Sequence, residues 1–203
     1  MLRSYRGDSG VLVLGIARGG VPVAFEIATA LGARLDVLVI RKLGLPEQPE
    51  LAIGAIASGG VRVLNPQLLS ELGISERVLE GVARLQQREL ERRESLYRSG
   101  RIPADPQGRD VILVDDGLAT GATIRAAIAA LRRRGAARVI VAVPVADRRV
   151  ARAISELSDE FVCPVVADAL LAVGEWYRDF SPTSDAEVVQ LLKRAPDGQA
   201  TAA

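Results

Sequence analysis

The sequence predicts an α/β protein built on a doubly wound parallel sheet with a helical insertion. Three observations predict it. Short apolar runs recur along the chain, helical repeats fall between them, and small-residue loops close the strand-to-helix junctions. Several of the runs are continuous rather than alternating, as strands covered on both faces should be.

In chain order, Val11–Ile16 reads as the first strand. Val21–Leu31 follows as a helix, with apolar residues at helical spacing and Gly32 as its stop. Leu35–Ile40 reads as the second strand, trailed by a Gly44–Gly60 stretch rich in Gly, Pro and small residues. A block at about 66–100 then breaks the alternation. Asn65 and Pro66 make a good helix start, with Asn as cap and Pro at the first helical position. Ser75 starts a second helix running to about Arg98, with Gly100 as its stop. That helix carries Val78, Leu79, Val82, Leu85 and Leu90, then becomes densely charged through RELERRES. The block reads as a solvated helical insertion packed on the sheet or on another subunit, with a lid over the site as the alternative.

The alternation resumes with Val111–Val114 as a strand and Ile124–Arg134 as a helix. Ile124, Ala127, Ile128 and Leu131 form one stripe of that helix, and Gly135 ends it. Val139–Val143 is a strand and Arg148–Leu157 a helix. Phe161–Val162 with Val165–Val166 makes a weak fifth strand. Ser181–Ser184 followed by Asp185-Ala186-Glu187 reads as a capped final helix, and the APDGQATAA tail as frayed. We expect one domain over 1–194 and a tail over 195–203. Right-handed crossovers then place ligands beyond the carboxyl ends of the strands.

Composition narrows the chemistry. There is no histidine, which excludes serine–histidine triads, histidine metal sites and imidazole acid–base catalysis. A single cysteine, Cys163, excludes a disulfide framework and a cysteine zinc site. A net charge of +1 gives no electrostatic footprint for nucleic acid or an anionic membrane. The polar start MLRSYRGDSG is no signal peptide, and no apolar run reaches the roughly 18–20 residues of a membrane helix. A cytoplasmic location follows as the default expectation.

The most informative stretch is RDVILVDDGLATGATIRAAIAAL, residues 109–131. A strand runs into two adjacent carboxylates, Asp115 and Asp116. A loop of small residues and hydroxyls, Gly117 to Thr123, then opens an amphipathic helix. Such a loop gathers free backbone N–H groups at the positive end of a helix dipole, and a phosphate is the natural occupant. The two acids would repel a bare phosphate, so they should face sugar hydroxyls or a bound Mg²⁺. A helix-capping corner would explain one acid, but not two acids beside a hydroxyl-rich glycine loop.

VILVDDGLATGAT resembles the signature with which type I phosphoribosyltransferases bind 5-phosphoribosyl-1-pyrophosphate (PRPP). Its wording is closest to the adenine phosphoribosyltransferase version, and TIRAAIAAL is similar to the pyrimidine-operon regulators sharing that fold. The resemblance implies the type I phosphoribosyltransferase fold with a small C-terminal hood at about 168–194. It implies that Asp115 and Asp116 hold the ribose hydroxyls, while Ala119, Thr120, Gly121, Ala122 and Thr123 wrap the 5′-phosphate. Ala17-Arg18-Gly19-Gly20, after the first strand, stands where the family binds pyrophosphate. It is not a P-loop, since Val21-Pro22 replaces the Lys-Ser/Thr pair. Arg18, Gly19, Gly20, Arg41 and Lys42 are the implied pyrophosphate residues, with Asp115, Asp116, Arg18 and Lys42 as the catalytic set. Gly44–Gly60 matches the family's mobile flap by position. In AVGEWYRDFSPTSD, residues 172–185, Trp176 or Tyr177 would stack on the acceptor, and Asp179 with Asp115 would serve Mg²⁺.

The chain also departs from the pattern. The 6-oxopurine enzymes carry an acid where Ala119 stands, which counts against hypoxanthine or guanine and leaves no identifiable general base. T-G-G-T is here T-G-A-T, which adds one methyl at Ala122. Only ten residues precede the first strand, where family members often have a helix, which would fit a chain lacking its natural start. The expected function is transfer of a phosphoribosyl group from Mg–PRPP to a nitrogenous, nucleobase-like acceptor, in nucleotide metabolism. The expected partners are PRPP, a small-molecule acceptor and a second copy in a dimer. A PRPP-sensing regulator without turnover, or a module docking a metabolic enzyme through the charged helix, are the alternatives.

Overall fold

The computed structural model describes residues 1–45 and 52–196. Its central element is a parallel sheet of five strands. In spatial order they are β2 (Arg34–Leu38), β1 (Val11–Ile16), β6 (Asp110–Val114), β7 (Arg138–Ala142) and β9 (Glu160–Val162). The helices that cross between strands are α1 (Gly20–Leu31), α4 (Ala122–Arg133) and α5 (Arg148–Ser155). Side chains alternate along each strand, so β6 feeds two cores. Ile112 and Val114 pack with Val21, Ala24 and Ala28 of α1. Val111 and Leu113 pack with Ile124, Ala127, Ile128 and Leu131 of α4. Both faces are therefore apolar, which is why the strand sequences read as unbroken runs.

Three expectations need correction. The strand read as Leu35–Ile40 is two strands: β2 ends at Leu38, and after Val39 the chain enters β3 (Ile40–Gly44). Ser58 holds that switch, its Oγ accepting from Val39 N at 2.9 Å and its N–H donating to Val39 O at 2.9 Å. Next, β3 pairs antiparallel with β4 (Ala52–Ala57), which pairs with β5 (Val61–Leu64), a second sheet that was not expected. It runs through the stretch read as a flap, of which residues 46–51 lie outside the described residues. Gly54 lets β4 and β5 close up, because a Cβ there would stand 2.6 Å from Val63 O. Last, Phe161–Val162 lies in β9, but Val165–Val166 lies in β10 (Val165–Ala167). That strand leaves the main sheet and pairs in parallel with β8 (Val145–Asp147).

The predicted insertion is helical, with α2 (Pro66–Glu71) and α3 (Glu76–Arg98). Asn65 and Ser75 cap them by accepting from Leu68 N and Val78 N. The helix α3 packs against β3 and against α6 (Asp185–Arg194), the final helix. Its buried residues are Val82, Ala83, Leu90, Tyr97 and Arg98, so the stripe is centred on 83, 90 and 97. Val78 and Leu85, two of the apolar residues this helix carries, are exposed. At about 100° per residue they sit roughly 140–160° around the helix from Ala83.

The far end of α3 is fixed by a buried ion pair. Arg98 Nε donates to both Asp36 oxygens at 3.2 and 3.3 Å, and Arg98 Nη2 donates to Val37 O at 3.0 Å. Asp36 Oδ2 also accepts from Ala104 N at 2.7 Å, so the carboxylate ties α3, β2 and the return segment together. The tail read as frayed lies, from residue 197 onward, outside the described residues. Among the described residues no helix is long and apolar enough to cross a membrane.

Candidate active site

Because β1 and β6 are neighbours, with Gly15 opposite Val114, the loops leaving their carboxyl ends emerge side by side. One is Ala17–Gly19, in which the Ala17–Arg18 peptide is cis. The other runs from Asp115 to Gly121. They touch at two glycines. A Cβ on Gly20 would stand 2.5 Å from Val114 O and 2.8 Å from Asp115 Cα, and one on Gly19 would stand 2.0 Å from Asp116 Oδ2. A larger residue at Gly20 would push one backbone off the other, and one at Gly19 would displace the Asp116 carboxylate.

The contact divides the site into two pockets that share the acid pair. The smaller, about 170 Å³, is lined by Asp115, the segment Gly117–Ile124 and Val173. Gly121 adopts a left-handed φ of 71° at the mouth of α4. The first N–H groups of that helix have no partner one turn back, and Ala122, Thr123 and Ile124 of its first turn line the pocket. Added to the helix dipole and to Thr120 and Thr123, this gives a cradle for a phosphate-sized anion. The larger pocket is a cleft of about 650 Å³ that includes Arg18, Gly19, Asp116, Tyr177, Asp179 and Glu187 in its walls. Asp115 thus faces one pocket and Asp116 the other.

Among the described residues no cation pairs with either acid. Burial, then the neighbouring Asp116 carboxylate, pushes the Asp115 carboxyl up to about 8. Burial also raises Asp116, against the opposing pull of backbone N–H groups. Two part-buried acids without a counter-ion form a site primed for hydroxyl donors or a cation.

The cleft is roofed by the segment after β10. A 3₁₀ turn at Val173–Trp176 seats Val173 against Gly117, whose added Cβ would stand 2.7 Å from Val173 Cγ1. Tyr177 donates its hydroxyl to Asp116 O at 2.7 Å, tying the roof to the acid pair. Burial, then the Asp116 and Asp115 charges, push this phenol up to about 12, so it remains a donor. Its ring lies 5.2 Å from that of Phe180, tilted by 46°.

Residues 2–168 match the family model described as "Phosphoribosyl transferase domain". The chain belongs to that family. Two curated relatives from Mycobacterium tuberculosis, strains CDC 1551 and H37Rv, each carry the name "Putative phosphoribosyl transferase". Each is 48% identical over 185 residues, 91% of this chain and 42% of the relative. The chain therefore spans less than half the length of these relatives. The crystal structure of TT1426 from Thermus thermophilus is similar at a TM-score of 0.78 and 42% identity. That match covers 90% of this chain and 86% of the other.

Within this phosphoribosyl transferase domain the structure brings together most of the residues picked from sequence. Asp115 and Ala119–Thr123 share the small pocket. Arg18, Gly19, Asp116, Tyr177 and Asp179 share the cleft. Gly20 is buried beneath them. Others stand apart. Arg41 donates through Nε to Gln86 on α3 at 3.0 Å, and Lys42 projects from the opposite face of β3; neither belongs to the cleft wall. Trp176 is 48% exposed and does not line the cleft, whereas its neighbour Tyr177 does. Asp179, whose Oδ1 accepts from Ser181 N and Oγ, shares its pocket with Asp116 rather than with Asp115.

Sequence reasoning missed Pro22, Val23 and Glu187 in the cleft wall, and the Tyr177–Asp116 tether. The tether joins residues 61 apart and leaves no local pattern. Among the described residues no cluster of three or more His, Cys, Asp or Glu could hold a metal ion. An ion arriving on diphosphate oxygens needs only one or two carboxylates and keeps several waters. Asp116 and Asp179 in the cleft fit Mg²⁺ bound that way.

Proposed function

We propose that this domain transfers the 5-phosphoribosyl group from Mg–PRPP to a nitrogenous, nucleobase-like acceptor and releases pyrophosphate. The contact between the two loops carries the reading. It allows one ligand to lay a phosphate in the small pocket, its ribose hydroxyls across Asp115 and Asp116, and a diphosphate against Arg18 and the Gly19 and Gly20 amides. Family membership and the phosphate cradle at α4 support the same assignment.

In this reading the bond between ribose C1 and the pyrophosphate oxygen breaks and a bond from C1 to the acceptor nitrogen forms, with inversion. Positive charge gathers on the ribose ring and negative charge on the leaving group. Arg18 stabilises that developing negative charge, and the paired loops hold the sugar so that its orientation is settled before reaction. Bound Mg²⁺ would neutralise pyrophosphate charge, with Asp116 and Asp179 as its carboxylates. Lys42 and Arg41, on the first strand of the antiparallel sheet, can contribute only if that sheet moves toward the cleft. Tyr177 and Phe180 line the cleft where Trp176 does not, which favours Tyr177 over Trp176 as the ring that would flank the acceptor; stacking of this kind contributes about 1–3 kcal/mol per base.

A second reading, PRPP sensing without turnover, draws on Ala119. That residue packs on the apolar group Val145, Ala167 and Leu170, so the position where 6-oxopurine enzymes carry an acid offers no base. A screen for pyrophosphate release from Mg–PRPP, run against purines, pyrimidines and amines, separates the two. Release with at least one acceptor supports the transferase. Silence across the panel, with PRPP binding intact, supports the sensor.

A further inference from the structure

The insertion helix reaches the cleft through one chain of contacts. Tyr97, in the last turn of α3 and 1% exposed, donates its hydroxyl to Asp185 Oδ1 at 2.7 Å. Asp185 is the first residue of α6, and the same Oδ1 stands 3.8 Å from Arg18 Nη1. Arg18 in turn lines the cleft. Burial, then the bond to Asp185, push the Tyr97 phenol up to about 12, so it does not give up its proton near neutrality. Arg92 of α3 adds a further positive charge near Asp185, Arg93 lies near Tyr97, and the N-terminus of α6 favours an anion at that position. The carboxylate is thus fixed in place beside Arg18. Its distance from Arg18 is too long for a direct hydrogen bond, and both side chains are about two-fifths exposed, at 43% and 41%. A pair of that kind is loose and exchangeable.

We infer that Asp185, anchored by Tyr97 of the insertion, is a positioning residue that serves as counter-ion to Arg18 and yields it when pyrophosphate binds. The inference rests on the reading of Arg18 as a pyrophosphate ligand. Two anions then compete for one guanidinium, so Asp185 weakens the hold on pyrophosphate and favours its release. The insertion gains a role at the site without any α3 residue lining the cleft.

The test is calorimetric titration of Mg²⁺–pyrophosphate, and separately of ribose 5-phosphate, into wild type, Arg18→Ala, Asp185→Asn and the double variant. Asparagine keeps an oxygen for the Tyr97 hydroxyl and removes the charge. Asp185→Asn should bind pyrophosphate about two- to fivefold more tightly. Its affinity for ribose 5-phosphate, which uses the other pocket, should stay at the wild-type value, as it would not if Asp185 merely supported the fold. In the Arg18→Ala background the tightening should vanish. Unchanged or weaker pyrophosphate binding by Asp185→Asn, or equal tightening without Arg18, would overturn the inference. Wild-type pyrophosphate affinity in Arg18→Ala would instead overturn the reading beneath it.

Discussion

Asp115 and Asp116 sit at the end of a strand with their carboxyl groups part-buried, side by side and without a cationic partner among the described residues. The cost of that arrangement is visible in Asp115, whose carboxyl is raised from an ordinary 3.8 to about 8. The folded chain therefore holds a proton that the unfolded chain releases. Below about pH 4 both states are protonated, and the fold carries no penalty. As pH rises from about 4 to about 8 the unfolded state gains, and stability falls by at most about 1.4 kcal/mol per pH unit. Above that range the loss is complete and the curve flattens. Asp116, also raised by burial, adds to the same trend. Urea unfolding of wild type and Asp115→Asn without ligand, across pH 4–9, should show wild type losing ground to the variant over this interval. A difference that stays constant with pH would show that the pair is not strained. In the proposed function the same two acids become an asset, since sugar hydroxyls and a divalent cation would offset the burial of their charge.

At the scale of elements, the link between α3 and the sheet is the most demanding. Arg98 and Asp36 are both buried, and each has its hydrogen-bonding capacity met by β2, Ala104 or Glu94. Removing one member strands the other charge in the interior, so Arg98→Ala should cost about 3–5 kcal/mol of stability. Urea denaturation checks this, and a loss below about 1 kcal/mol would mean that the insertion is held mainly by its apolar stripe. The strand–loop–helix corners were legible in the sequence because each is local. A continuous apolar run, a small-residue loop and a 3.6-residue repeat all fall within about 25 neighbouring residues. The antiparallel sheet was not legible in the same way, since β4 is built from Ala, Ile and Gly and its alternation is obscured. One signal did exist. Gly59 and Gly60 both take left-handed φ, 83° and 74°, and a Gly-Gly pair between short apolar runs is a hairpin sign. The buried stripe of α3 was not legible because Val78 and Leu85 are apolar yet face away from the heptad of Ala83, Leu90 and Tyr97.

Across the whole molecule, two loops from adjacent strands, a roof from the C-terminal segment and an insertion packed behind them converge on one cleft. The small-residue loop and the acid pair stood out in the sequence as candidates, and the structure sets them against two adjoining pockets. An aromatic cluster is visible in the sequence at 176–180, but only the structure shows that Tyr177 and Phe180, and not Trp176, line the cleft. Since relatives of more than twice this length contain the same domain, the proposed reaction is best tested first on the proposed donor. Mg–PRPP should therefore be titrated by calorimetry into wild type and the Asp115→Ala/Asp116→Ala variant. Each charged hydrogen bond lost should cost about 1.5–3 kcal/mol, so the variant should bind at least tenfold more weakly, with its fold intact by circular dichroism. Equal affinity in the two proteins would contradict the assignment of this corner as the seat of the phosphorylated sugar.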